Sequence, residues 1–539
     1  MAKKIHFIGI CGVAMSALAL AFKRQGWKVT GSDVGFYPPV STHLKEAGID
    51  FYPGWHPEKI NKPDLVVVGN VASSTNPEWL YVQEHKLNYK SYPEVIAEYF
   101  VKKNSIVCAG TYGKTTSTAL LTWILKEAGF DPNYMFGGLM AMPTNGAYIN
   151  TPLHRGGETP PLPAANMSDS NWSILEGDEY KTSKWDDGAK FFHYSPTHLL
   201  LTSVVWDHAD VYPTEGSYFE AFRKLVAMVP EGGLRVISEK ALSVILNEAK
   251  RSEESLSQST NGQRSFAVAP VRGPDRSATS SHRVRACCAR PSESRTRPSG
   301  RPLRASRWQD DNVVTYGKNG TDDYVYSNVT QLKNCISFDI THQGKTYPLT
   351  CPCLGEYMAD NATGCFALAH QIGIAPEKII AAIATFPGMK RRLEKRYEDK
   401  ITIFDDIAHS PTKAKAVLES LRNVYSGKIF AVFEPNTGNR RPQARSWYSH
   451  CFNAADVVII PKLTKIKIDP TDPDVPFEGD KLAEIISKTK PAVRYIEQDE
   501  ELITYLKQKT QPGDVVVFLG SHGFRGMIEE LIQQVSSKQ

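Results

Sequence analysis

Short, nearly uninterrupted apolar runs alternate along this chain with stretches whose apolar residues recur every three or four positions. Residues 4–10, 27–30, 65–69, 106–109, 173–175, 198–203, 312–316, 401–404, 428–433, 456–461 and 514–519 form runs of the first kind and read as strands. Residues 14–25, 241–249, 376–386 and 412–421 carry helical spacing, as do Leu120, Leu121, Ile124 and Leu125. Such alternation predicts an α/β architecture with parallel sheets. The period changes to two at 324–329, 335–342 and 346–349, which predicts alternating strands, and a helix of small residues follows from Gly355 through Ala369. Together with the glycine turns Gly9-Ile10-Cys11-Gly12 and Gly110-Thr111-Tyr112-Gly113 before Lys114-Thr115, the pattern divides into a Rossmann-like N-terminal domain over 1–103, a central phosphate-loop ATPase-type α/β domain over 104–390 and a C-terminal Rossmann-like α/β domain over 391–539. A chain of 539 residues suits three domains at ~150 residues each.

Composition changes this picture in one place. Residues 252–308 are dominated by Ser, Arg, Pro and Gly, keep no period, and bury too little apolar surface to offset their ordering entropy. They read as a disordered insertion, with an Arg-rich nucleic-acid arm as the functional alternative. The formal charge of +5 misleads, because 251–310 holds twelve Arg against five acids; without that stretch the chain stands at −2. Basicity therefore gives no support for nucleic-acid binding by the whole protein. No apolar run reaches the ~18 residues of a membrane span. The start, Met1 to His6, leads straight into a strand with no leader expected, and nine scattered cysteines suit a reducing cytoplasm. Cys351-Pro352-Cys353 is too close-set for the usual zinc spacing. Residues 137–171 read as a Gly/Pro-rich surface loop.

Candidate chemistry lies just after strand ends. Strand 106–109 runs into Gly110-Thr111-Tyr112-Gly113-Lys114-Thr115-Thr116 and then a helix. Glycines let backbone N–H groups turn inward, and a helix N-terminus adds partial positive charge. The loop suits nucleotide phosphates, with Lys114 reaching the terminal ones and the Thr115 hydroxyl able to ligate Mg²⁺. An ordinary glycine turn is the plainer alternative. Glu176-Gly177-Asp178-Glu179 follows strand 173–175 and suits Mg²⁺, or is a solvated acidic turn. His208 is a metal ligand or a loop histidine. Gly9-Ile10-Cys11-Gly12, a helix, and then Ser32-Asp33 make a Rossmann-like phosphate turn, incomplete because Met15 holds the last glycine place. A plain βαβ unit is the alternative there. Asn70 sits just beyond strand 65–69, and Arg391-Arg392 either neutralises phosphate or forms a solvated hinge.

Taken in order, with Asp207-His208, Asn361 and Asp405-Asp406 to His409, these motifs resemble the Mur ligase family, the ATP-dependent enzymes of peptidoglycan assembly. The similarity runs along nearly the whole chain except 252–308. It implies ATP and Mg²⁺ as cofactors, with Lys114, Glu176 and His208 catalytic and Thr115, Glu176 and His208 as metal ligands. ATP would be held by Gly110, Thr111, Tyr112, Gly113, Lys114, Thr115, Thr116, Asn361, Arg392, Asp405, Asp406 and His409. A UDP-linked substrate would be held by Gly9, Cys11, Gly12, Met15, Ser16, Ser32, Asp33 and Asn70.

The opening 9–16 with 31–33 resembles the branch acting on UDP-N-acetylmuramate. Residues 37–42, 68–70, 176–180, 190–194 and 207–210 are more similar to members adding the recycled tripeptide L-Ala-γ-D-Glu-meso-diaminopimelate than to those adding L-alanine. The reaction implied is phosphorylation of the muramate carboxylate followed by attack of the acceptor amine. Partners would be small molecules, with no nucleic acid or membrane, and the chain would be a monomer. Departures from the family pattern are Tyr112 for a usual His, Ser203 for Asn, Tyr357-Met358 for His-Asn, and Ser410 for a second His. Rival readings are a nucleotide-binding relative that has lost catalysis and a folate-polyglutamylating ligase, the latter with no need of the first domain.

Overall fold

The computed structural model describes residues 2–36, 40–141, 163–207, 211–246, 312–464 and 475–536. Outside them lie His208 to Asp210, the insertion at 252–308, the end of the 241–249 helix, and parts of the 37–42 and 137–171 stretches. Among the described residues no helix is long and apolar enough to cross a membrane.

Strands β1 (Lys4–Ile8), β2 (Lys28–Asp33), β3 (Asp50–Pro53), β4 (Leu65–Val68) and β5 (Tyr89–Ser91) form a wholly parallel sheet in the order β3-β2-β1-β4-β5. The order reverses between β1 and β4, which opens a crevice at their carboxyl ends. β1 stops at Ile8, two residues earlier than its apolar run. Gly9 turns to φ +88°, and the N–H groups of Gly9 and Ile10 both donate to the Ser32 carbonyl, at 2.9 and 3.0 Å. A Cβ at Gly9 would lie 2.3 Å from Val71, so a side chain is excluded there.

The second sheet contains β6 (Asn104–Ala109), β7 (Asn133–Met135), β8 (Ala165–Asn166), β9 (Trp172–Gly177), β10 (His198–Leu201), β11 (Leu234–Ser238), β12 (Val313–Gly317), β13 (Tyr324–Gln331), β14 (Ile336–His342) and β15 (Lys345–Cys351). Its order is β15-β14-β13-β12-β11-β10-β6-β9-β7-β8. β7, β9, β6, β10, β11 and β12 are parallel, and β13 to β15 continue as an antiparallel meander. The change of period read from 324–349 is therefore a change of pairing. The third sheet holds β16 (Glu394–Glu398), β17 (Thr402–Asp406), β18 (Ile429–Glu434), β19 (Val457–Pro461), β20 (Val493–Ile496) and β21 (Val515–Gly520), in the order β16-β17-β21-β18-β19-β20. Only β16 runs antiparallel to its neighbour.

One apolar cluster runs from a face of the first sheet (Phe7, Phe22, Phe100) into the second domain (Ile124, Phe366). Within the first domain's part of it Phe22, Trp27 and Tyr99 pack edge to face, with centroids 5.0 to 5.9 Å apart. Fully burying a side chain such as Phe22 or Phe366 contributes ~1.5–3 kcal/mol, so this continuous cluster ties the first two domains together. The opposite face of the first sheet has its own small cluster, including Ile8, Val66, Val68, Trp79 and Val82. The third sheet carries a cluster on each face, with Leu354 entering one of them.

Candidate active site

The loop after β6 is held by groups distant in sequence. Gly110 adopts φ +139°, and a Cβ there would lie 2.3 Å from the Thr202 hydroxyl. Thr111 is buried, its N–H donating to the Ser203 carbonyl at 2.9 Å and its hydroxyl to the Val205 carbonyl at 2.8 Å. The Tyr112 N–H donates to the Ser203 hydroxyl at 2.9 Å. Ser203, a departure by sequence, thus supports the loop. Gly113 at φ +83° starts the helix Lys114–Glu127, and a Cβ on it would meet the Asn361 amide oxygen at 2.4 Å. Asn361, on the helix Tyr357–Gln371, is buried against the loop, and Thr116 is buried in the first helical turn.

Lys114 and the acids after β9 meet at this helix start, because β9 lies directly beside β6. The Lys114 ammonium is 2.8 Å from Glu179, whose side chain is fully buried. Burial on its own lowers the Lys114 pKa, but Glu179, Asp178 and Glu176 outweigh it and leave it raised. The lysine stays charged. The Thr115 hydroxyl donates to Glu176 at 2.7 Å, and the other Glu176 oxygen accepts the Gly137 N–H at 2.5 Å. Asp178 accepts from Lys190 at 2.6 Å; burial opposes its ionisation, and Lys190 and Lys114 override it. Among the described residues no three His, Cys, Asp or Glu side chains gather as a metal site. A hydroxyl and a carboxylate 2.7 Å apart are hard oxygen donors of the sort Mg²⁺ takes.

From the third domain, Lys413 places its ammonium 5.2 Å above the Tyr112 ring. Burial lowers the Lys413 pKa, with Arg392 and Lys114 adding to the fall and Asp207 opposing it. Lys413, Arg392, Lys114 and Asp207 therefore share one electrostatic neighbourhood. His409 donates from Nδ1 to the Ile407 carbonyl at 2.7 Å, and burial with the Lys413 charge pushes its pKa down to about 4. Asp405 and Asp406 do not present open carboxylates to the loop. Asp405 is buried beside Arg391, 3.2 Å away, with burial pushing its pKa up to about 6. Asp406 accepts the Leu393 and Ala408 N–H groups at 2.6 and 2.7 Å. Both acids brace the turn that carries Arg391, Arg392 and His409.

The first domain meets this site across a cavity of about 200 Å³. Met15, Gly69 and Asn70 line one side, and Glu176, Asp178 and Lys190 the other. Gly12 caps the helix Val13–Arg24, and the Cys11 N–H donates to Asp33 at 2.8 Å. The place usually glycine is filled by a buried Met15, whose methyl would lie 3.3 Å from a Cβ on Gly69. Ser16 returns its hydroxyl to the Val13 carbonyl at 2.9 Å. Ser32 turns into the core and donates to the buried Glu78, away from the cavity. Sequence reasoning left Glu179, Lys190 and Lys413 out of the site. Glu179 and Lys190 stood inside 176–180 and 190–194, stretches already singled out, whereas nothing local marks Lys413.

Three family models match in succession: "Mur ligase family, catalytic domain" over 4–103, "Mur ligase middle domain" over 108–284, and "Mur ligase, glutamate ligase domain" over 391–522. The chain belongs to the Mur ligase family. Mur ligases are ATP-dependent, ADP-forming amide ligases of peptidoglycan synthesis. A Haemophilus influenzae UDP-N-acetylmuramate–L-alanyl-γ-D-glutamyl-meso-2,6-diaminoheptandioate ligase is 26% identical, over 99% of this chain and 100% of that protein. A UDP-N-acetylmuramate–L-alanine ligase from Mesorhizobium japonicum is 27% identical, over 96% of this chain and 94% of its own. The Thermotoga maritima UDP-N-acetylmuramate–alanine ligase MurC superposes with a TM-score of 0.69 at 19% identity, covering 99% and 100% of the two chains, which speaks to the fold.

Proposed function

We propose that this Mur ligase joins UDP-N-acetylmuramate to the tripeptide L-Ala-γ-D-Glu-meso-2,6-diaminoheptandioate, converting ATP to ADP and phosphate. The observation that carries this reading is a single cleft. Glu176, which accepts from Thr115 of the loop that carries the Lys114–Glu179 pair, lines one cavity with Asp178 and Lys190, opposite Met15, Gly69 and Asn70 of the first domain. The acceptor follows the relatives whose similarity spans 99% of this chain. We place the reaction in the cytoplasm, where ATP is made, on a monomer divided at 103/104 and 390/391.

The chemistry needs two anions brought together. A carboxylate has no good leaving group, so the muramate oxygen takes the terminal phosphoryl of the substrate ATP, and the peptide amine then expels phosphate as the amide forms. Lys114, kept charged by its acidic neighbours, neutralises the transferring group. Loop N–H groups and the start of the helix Lys114–Glu127 hold the remaining phosphate oxygens. Mg²⁺, which would be held by Thr115, Glu176 and His208, supplies further charge neutralisation when bound. Lys413 and Arg392 come from the third domain to close the phosphate side.

L-Alanine as acceptor is the second reading, favoured by alanine ligases at 27–29% identity. ADP formation with UDP-N-acetylmuramate and either acceptor separates the two. The tripeptide should have the higher kcat/KM, since its remote carboxylates can be bound and used at the reacting amine. A higher value for L-alanine reverses the choice, and no ADP with either acceptor removes the ligase reading.

A further inference from the structure

The acidic motif after β9 continues into a tight hairpin. Thr182 donates through both N–H and hydroxyl to the Gly188 carbonyl at 2.9 Å, and the Ser183 N–H donates to the Asp186 carbonyl at 3.1 Å. Lys181 and Asp187 pair across it at 2.9 Å, and His193 holds Asp186 at 2.9 Å. Trp185 sits at the tip of this braced turn. Its ring stacks on Trp79 of the first domain at 4.8 Å and 22°, and meets Tyr89 edge-on at 5.3 Å. At the stem, the Lys181 carbonyl accepts the Asn70 amide at 3.1 Å.

Trp79 belongs to the small cluster on the first sheet's far face, whereas the main seam with the second domain uses the opposite face. The first domain is therefore gripped on both sides: by an extensive core on one, and by one aromatic side chain on the other. Trp185 and Tyr89 remain 39% and 38% exposed, so this second grip is a surface contact that can open without unfolding either domain. The same hairpin carries Asp178 and Lys190 at its base, which line the cavity opposite Met15, Gly69 and Asn70.

We propose that Trp185 is a positioning residue, latching the first domain to the hairpin so that the substrate carboxylate meets the phosphate loop in register. This rests on the ligase reading given above, but the latch can be tested without it. Two ring contacts of this kind are together worth about a tenfold change in an equilibrium.

The test compares Trp185→Ala and Trp185→Phe with the wild-type protein, using hydrogen exchange by mass spectrometry and steady-state kinetics. In Trp185→Ala, exchange over 69–92 and 180–190 should speed up about tenfold, while peptides over 4–8 and 104–127 keep wild-type rates. KM for UDP-N-acetylmuramate should rise about tenfold. ATP, bound within the second domain, should keep its Kd within about twofold, and Trp185→Phe should recover both readouts to within about threefold. Unchanged exchange in Trp185→Ala overturns the latch whatever the kinetics show. Faster exchange with an unchanged KM overturns the positioning role. A wild-type protein that makes no ADP with UDP-N-acetylmuramate defeats the ligase reading instead, and exchange alone then decides the latch.

Discussion

Replacing Lys114 with Met separates catalytic charge from structural charge. The Lys114 side chain is 14% exposed and Glu179 fully buried, 2.8 Å away. Removing one partner of such a pair leaves a buried charge uncompensated, at a cost of ~3–5 kcal/mol. For a domain of this size that corresponds to a fall of about 10 °C in Tm. Glu179, without its cation, should have a pKa raised above its unfolded value. The variant's deficit should then be smallest at acidic pH, where the carboxyl is protonated in both states, and should grow as pH rises through the raised value. ADP formation should drop by ~10²–10³-fold or more, because a preorganised charge at the transferring phosphoryl is lost. Adding Glu179→Gln should restore most of the stability by removing the orphaned charge, and none of the turnover. Thermal melts across pH and an ADP-release assay on the single and double variants read both effects. A double variant that regains turnover would falsify the role of Lys114, and a single variant melting with the wild type would show that the pair is not buried in solution.

Two further outcomes follow from the geometry. Gly113→Ala should abolish measurable ATP binding by calorimetry. It strains a residue at φ +83° by about 1–2 kcal/mol and drives a methyl against Asn361, so wild-type affinity would mean that the loop takes another shape. His409, pushed down to about 4 by burial and Lys413, should disfavour the fold as pH drops from about 6.5 towards 4, because the unfolded chain binds the proton first. Denaturation midpoints of His409→Gln should lose that part of the acid sensitivity, and an undiminished slope would assign it to other groups.

Local features of the chain were legible because their causes are local. A glycine at positive φ before Lys-Thr needs no distant partner to be recognised, and neither does a run such as Val515–Gly520 that is buried on both faces. The glycine loop before Lys114, the first-domain turn and most central strands could therefore be placed from sequence. β3, β5, β7, β8, β11, β16 and β20 passed unread. All but β11, a fully buried central strand, are short or lie at sheet edges, so packing decides them more than composition does.

What tertiary structure alone decided is which charges face which. Asp405 and Asp406 looked like ligands for ATP, yet they fold inward to hold Arg391 and the backbone of Leu393 and Ala408. Ser32 turned to Glu78, and Ser203 became the brace of Tyr112. Lys413 reached Tyr112 only because the third domain docks there, and Trp185 reached Trp79 only because a hairpin from the second domain crosses to the far face of the first sheet. A side chain's type limits the bonds it can make, and local periodicity sets its secondary structure. Whether a carboxylate serves a ligand or a turn depends on the few ångströms between elements far apart in the chain, and closure of the three sheets sets those distances.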